Sequence, residues 1–178
     1  MSTEQDLPKI ISQIFAYHDD PDAVFSPLLP ALCEVLNCDR CFLYLRDPHT
    51  RIGRTPYCWL RSDQYPDVST KTWETEPLSL SEEDPLFAAA LRTDPSIFIE
   101  DVETADPEVV NRKFEAENFG HRALIHAHLC QDDLLWGVLQ PCVFSQPRVW
   151  SEFDQLVVNQ VVEKITPLAV DYVKEALA

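Results

Sequence analysis

Leu135–Trp150, LWGVLQPCVFSQPRVW, and the acidic segment Ser151–Asp154 behind it decide the fold. The first half, through residue 144, reads as the second strand of a hairpin. Ser151 with Asp154 three positions on has the form of a capping box. Beyond it Phe153, Val157, Val161 and Ile165 form an apolar stripe at four-residue spacing, continued by Leu168 and Tyr172. A long terminal helix is expected from Ser151, and Pro167 is expected to kink or divide it.

Working outward, residues 122–130 and 133–144 read as a hairpin turning near Asp132 and Asp133. Residues 107–118 read as a helix opened by Asp106-Pro107, 96–100 as a short strand, and 84–92 as a helix capped by Asp84 with Pro85 at its first position. Residues 63–83 are polar and acidic and read as a long loop. Residues 39–46 and 55–62 read as strands around the turn signals Pro48 and Gly53. A helix over 21–37 carries Pro27 and Pro30, so its first half is expected to break or kink. The N-terminal helix spans 6–18, with Asp6 as its cap. This order predicts an α+β fold with a central, mostly antiparallel sheet of about five to six strands. Terminal helices lie on one face and short helices and loops over the other. One domain over 1–178 is expected: an N-terminal helix in 1–20, a sheet core with crossover helices in 21–150, and a C-terminal helix in 151–178.

Fourteen Lys and Arg against 30 Asp and Glu give the 178-residue chain a formal net charge of −16. Such a surface repels phosphate backbones and anionic lipid, so no nucleic acid and no membrane partner is expected. No apolar run approaches the roughly 20 residues that span a bilayer, and no secretory leader is visible, which places the chain in the cytoplasm. The six cysteines then read as reduced thiols, mostly buried. Cys38 and Cys41 form a C-x-x-C pair, but at a helix C-terminus, where the helix dipole disfavours a thiolate.

The segments Cys38–Leu45, CDRCFLYL, and Leu135–Trp150 resemble the first-strand junction and the last hairpin with helix entry of GAF domains, in particular the bilin-binding GAF domains of cyanobacterial photoreceptors. The likeness runs from about residue 20 to the end, and it suggests a cyanobacterial source. In that family a Cys-His pair attaches the bilin; counting along the resemblance, the pair falls on Asn111 and Arg112. A second cysteine of some relatives falls on Leu86, and a bilin-contacting histidine falls on Cys142. The resemblance thus implies the fold without its attachment chemistry. It implies a cavity between sheet and short helices, with Trp59, Leu86, Asn111, Arg112 and Cys142 as its expected lining. Arg112 offers a partner for an anionic group, or is simply a solvated helix residue.

His126, His128 and Cys130 share one strand face and are candidate metal ligands without a clear fourth; the alternative is ordinary half-buried packing. If the hairpin turns at Asp132-Asp133, Cys142 is expected on the opposite face. No phosphate-binding loop, dinucleotide fingerprint, zinc-protease motif or nucleophile elbow is present.

Three functions remain. The first is a non-enzymatic, stand-alone sensor or interaction module without cofactor; because the chain ends after the last helix, it is expected to act by contact, as a homodimer through the terminal helices or with another protein. The second is a small-molecule sensor holding a non-covalent tetrapyrrole or other planar ligand; the residues associated with cyclic-nucleotide GAF domains are not complete. The third is a thiol-dependent enzyme resembling the methionine sulfoxide reductases of this fold, whose cysteine spacing differs.

Overall fold

The computed structural model describes residues 6–178. Two helices, α1 (Lys9–Tyr17) and α2 (Pro21–Leu36), lead into β1 (Arg40–Asp47) and β2 (Ile52–Leu60). The short β3 (Glu74–Thr75), α3 (Leu80–Glu83), α4 (Pro85–Leu91), β4 (Ile97–Ile99) and α5 (Arg112–Asn118) follow. The hairpin β5 (Ala123–Gln131) and β6 (Leu134–Val143) then delivers the chain to α6 (Glu152–Ala176). The six strands form one antiparallel sheet in the order β3-β2-β1-β6-β5-β4. The α+β antiparallel architecture expected from the sequence is the one found.

The strand period of two sorts the side chains. Cys41, Leu43 and Leu45 of β1 and Ala123, Ile125, Ala127 and Leu129 of β5 meet α1, α2 and α6 in the main core. The intervening positions, among them Phe42, Leu124 and Cys142, face the short helices and loops. β1, β5 and β6 are thus buried on both faces, which explains why their sequences read as continuous apolar runs.

Several local expectations need correction. α2 runs unbroken through Pro27 and Pro30. Each proline costs about 3 kcal/mol in a helix interior. Val24, Phe25, Leu28, Leu29, Leu32 and Leu36 are all buried along it, and such side chains contribute about 1.5–3 kcal/mol each, so burial wins. α6 likewise continues through Pro167, with the Thr166 hydroxyl donating to the Val162 carbonyl at 2.6 Å. The Ser151–Asp154 capping box is present, but it buries Asp154 and turns Phe153 outward. α1 begins at Lys9 after Pro8, so Asp6 does not cap it. α5 begins at Arg112, not near Pro107: the Asp106 carboxylate instead accepts from the Glu108 N–H in a turn that delays the helix.

The hairpin turns at Asp132 and Asp133, both left-handed at φ 55° and 61°. The face of Cys142 also needs correcting. Next to the turn Cys130 pairs with Leu135, but the register then shifts, so that Leu129 pairs with Gly137 and Leu124 with Cys142. This bulge inserts one extra residue into β6 and reverses the parity beyond it. Cys142 therefore shares the face of His126 and His128.

Candidate functional site

On the sheet face covered by α3–α5, Phe42, Tyr44, Thr55, Leu80, Phe87, Phe119, His126, Val138 and Gln140 line a cavity of about 210 Å³. β1, β5 and β6 supply its floor through alternate positions, and α4 and the loop after α5 supply its roof. Asp84 caps α4 by accepting from the Leu86 N–H at 3.1 Å, which sets Phe87 over the sheet.

A buried ion pair backs the Tyr44 wall of the cavity. Arg46 forks onto Glu76, Nε to Oε2 at 2.8 Å and Nη2 to Oε1 at 2.7 Å, and its Nη1 donates to the Leu135 carbonyl. The Tyr44 hydroxyl donates to the same carboxylate. Burial and the Glu76 charge push the Tyr44 phenol well above its usual range. A Cβ on Gly53 would lie 2.0 Å from the Tyr44 hydroxyl, so only glycine lets this ring lie flat against β2.

The floor carries an imidazole pair. His128 Nδ1 lies 2.7 Å from the Asp94 carbonyl oxygen, which can only accept, so Nδ1 carries a hydrogen. His128 Nε2 lies 2.8 Å from His126 Nδ1. Burial lowers both rings' pKa values; that of His126 falls well below the ordinary value, with the neighbouring His128 and His121 adding to the effect, whereas Asp94 partly offsets the lowering at His128. Cys130 shares their face but packs against Phe87, Ala90, Leu135 and Val138. Among the described residues no three His, Cys, Asp or Glu side chains are placed to hold a metal ion.

Behind the cavity lies a second polar cluster. Arg40, wholly buried, is sandwiched between the Phe42 and Phe144 rings at 5.1 and 4.9 Å. Its Nη1 donates to the Pro66 carbonyl at 2.8 Å, and its Nη2 lies 3.3 Å from His121 Nδ1. Arginine only donates, so Nδ1 accepts and His121 Nε2–H donates to Glu115 at 2.5 Å. Cys142 Sγ lies 3.2 Å from His121 Nδ1. Burial pushes the Glu115 carboxyl up to about 8 against the pull of Arg40. Burial and the Glu115 charge push Asp84 up to about 7.

Of the residues singled out from the sequence, the structure brings Leu86 and Cys142 together in the apolar cluster with Phe42 and Leu124. Asn111 caps α5 through Phe114 N–H and donates to the Glu83 carbonyl at 2.8 Å, tying α5 to α3. Arg112 faces solvent and pairs with Glu103 at 3.7 Å. Trp59 lies on the opposite sheet face, in a groove of about 600 Å³ with Ile10, Ile14, Pro27 and Pro30. Sequence reading missed Arg40, Arg46, Glu76, Glu115 and His121. Arg40 and Arg46 carried a signal: both occupy even positions of a strand whose odd positions are core, and two arginines in such a strand need buried partners.

A GAF domain model matches residues 20–166. The chain belongs to the GAF domain family. No curated protein sequence matches this GAF domain. Solved structures with the same fold include the GAF domain of a phosphoenolpyruvate-protein phosphotransferase from Coxiella burnetii, at 14% identity and TM-score 0.69, covering 99% of this chain and 100% of that one. The corresponding domain from Acinetobacter shows 12% identity and TM-score 0.66, covering 92% and 89%. The blue-light absorbing form of the Thermosynechococcus elongatus PixJ GAF domain shows 21% identity and TM-score 0.57, covering 85% and 90%. At these identities the likeness concerns the fold.

No free thiol of this GAF domain stands at the positions the resemblance marks for bilin attachment. No cysteine lines the cavity. Asn111, Arg112 and Leu86 offer no nucleophile at the positions the resemblance marks, and Cys142 is sealed among Arg40, His121 and Leu124. No helix among the described residues is long and apolar enough to cross a membrane.

Proposed function

We propose that this chain is a non-enzymatic regulatory module. It responds to a small ligand held without a covalent bond in the cavity under α4, and passes the response on by contact. GAF domains in general are sensory and regulatory modules, which is the ground for reading this one so. The observation that carries the reading is the cavity itself: aromatic walls of Phe42, Tyr44, Phe87 and Phe119 with a few polar groups, His126, Gln140 and Thr55, set among them. That composition is the usual one for a small-molecule site. At about 210 Å³ the cavity is smaller than the roughly 300–1,000 Å³ of sites for drug-sized ligands. A compact ligand suits it better than an open tetrapyrrole.

The terminal helices are the proposed output. Lys164 of α6 lies over the Phe15 ring of α1 at 5.7 Å, so the two helices share one surface. Phe153 and Leu156 on α6 are exposed in the helical row that leads to Lys164. A homodimer would cover them. The acidic chain is read as having neither nucleic acid nor membrane as partner, and as working in the cytoplasm.

Native and denaturing mass spectra of protein made in a bilin-producing host test the reading. A native mass excess that disappears on denaturation is expected. An adduct surviving denaturation would overturn the non-covalent reading.

A further inference from the structure

The hydrogen-bond direction of the imidazole pair fixes what the cavity can recognise. The Asp94 carbonyl forces the hydrogen of neutral His128 onto Nδ1. His128 Nε2 is then an acceptor, and the only ring atom facing it, His126 Nδ1, must be the donor. The remaining nitrogen of His126, Nε2, is left as a lone pair. No hydrogen bond engages it among the described residues, and the ring forms part of the cavity wall. Burial, which lowers the pKa of both rings, keeps them neutral and so preserves this direction.

The rest of the wall sets further limits. Arg46 lies over the Phe87 ring at 5.7 Å, and its Nε, Nη1 and Nη2 are all engaged by Glu76 and the Leu135 carbonyl. It offers nothing to an anion. The Tyr44 hydroxyl is committed to Glu76. The side chains of Gln140 and Thr55 are nearly buried and make no hydrogen bond among the described residues, so they are free to complete a ligand's edge. Four aromatic rings surround this small set.

We infer that the cavity selects a neutral, planar compound of one or two rings that donates an N–H or O–H to Nε2 of His126. This rests on the reading of the cavity as the ligand site and gives that site its ligand class. An acceptor-only ring would desolvate the lone pair without replacing its hydrogen bond to water. A carboxylate would meet no cation in the cavity wall, since Arg40, whose Nε has no partner among the described residues, lies behind the Phe42 ring, and it would lose its water without a charged partner in exchange.

Indole, benzothiophene and benzoate are suitable probes, titrated into the full chain by calorimetry. Indole and benzothiophene have nearly the same shape, and only indole carries the N–H. Indole is expected to bind about tenfold more tightly than benzothiophene, the scale of one buried hydrogen bond made or left unsatisfied. Benzoate is expected to bind weakest. His126→Phe is expected to bring the indole-to-benzothiophene ratio to about one; if that variant does not fold, the ratio in the unmodified chain still decides. Equal binding of indole and benzothiophene overturns the donor rule and leaves the cavity as a ligand site. Tightest binding by benzoate overturns the neutral class. No binding by any of the three to folded protein overturns both this inference and the cavity reading.

Discussion

Arg46 and Glu76 are joined by two parallel hydrogen bonds, 2.7 and 2.8 Å long, with both side chains almost wholly withdrawn from solvent. The pair ties β1 to the segment after β3, and through the Tyr44 hydroxyl it holds one wall of the cavity. Removing one member of a buried pair leaves the other charge uncompensated, which costs about 3–5 kcal/mol. Glu76→Ala is therefore expected to lower the unfolding free energy by about that much in a denaturant titration. The double replacement Arg46→Met, Glu76→Leu is expected to cost less than Glu76→Ala alone. A loss below about 1 kcal/mol for Glu76→Ala would show the pair to be solvated.

Asp84 and Glu115 give stability a pH dependence of unusual sign. In the folded chain they hold their protons up to about 7 and about 8, against 3.8 and 4.5 when unperturbed. The folded state binds more protons between those limits, so this contribution is complete below about pH 4 and is lost as pH rises through about 7 and 8. Glu115→Gln removes one of the two titrations while keeping an acceptor for His121. Its stability curve, measured by denaturant titration at successive pH values, is expected to fall less steeply over that window than that of the unmodified chain. A steeper fall would contradict the assignment.

The cysteines are expected to react in two classes. Cys33, Cys38, Cys41 and Cys142 are buried, and Cys58 and Cys130 are partly exposed. Burial raises the thiol pKa of Cys38 and Cys41 well above the usual range, and pushes Cys58 up to about 11. Cys58 and Cys130 should take up a thiol reagent first, and the other four only as fast as the chain opens. Fast labelling of Cys38 or Cys41 would revive a thiol-based activity.

Much of the fold could be read in the sequence because its signals are local. The Ser151–Asp154 box, the Asp84-Pro85 start and the Asp132-Asp133 turn each lie within a few residues and act there. Features that depend on distant packing were harder to read. Pro27, Pro30 and Pro167 carry a local breaking signal that burial of the surrounding helix overrides. The face of Cys142 depends on a single bulge between Leu129 and Cys130, to which no turn residue points. The polar clusters were less legible still. Arg40 meets His121 across 81 positions, and Arg46 meets Glu76 across 30. Glu76 and Glu115 look in the sequence like any of the chain's many solvated acids.

The terminal-helix surface predicts self-association. Phe153 and Leu156 are exposed on the α6 side. A dimer in sedimentation at high micromolar concentration is expected, with Phe153→Glu, Leu156→Glu returning it to a monomer of unchanged helix content. A monomer in the unmodified chain at that concentration would contradict the proposed output surface.

The cavity as the ligand site is the central claim, and a two-dimensional amide and imidazole NMR titration of the chain with indole tests it most directly. The account predicts saturable shifts confined to Phe42, Tyr44, Phe87, Phe119, His126 and Gln140 and their neighbours, with His126 Nε2 moving furthest among the imidazole nitrogens. Shifts centred instead on Ile10, Pro27, Pro30 and Trp59 would place the ligand in the groove on the opposite sheet face and contradict the account.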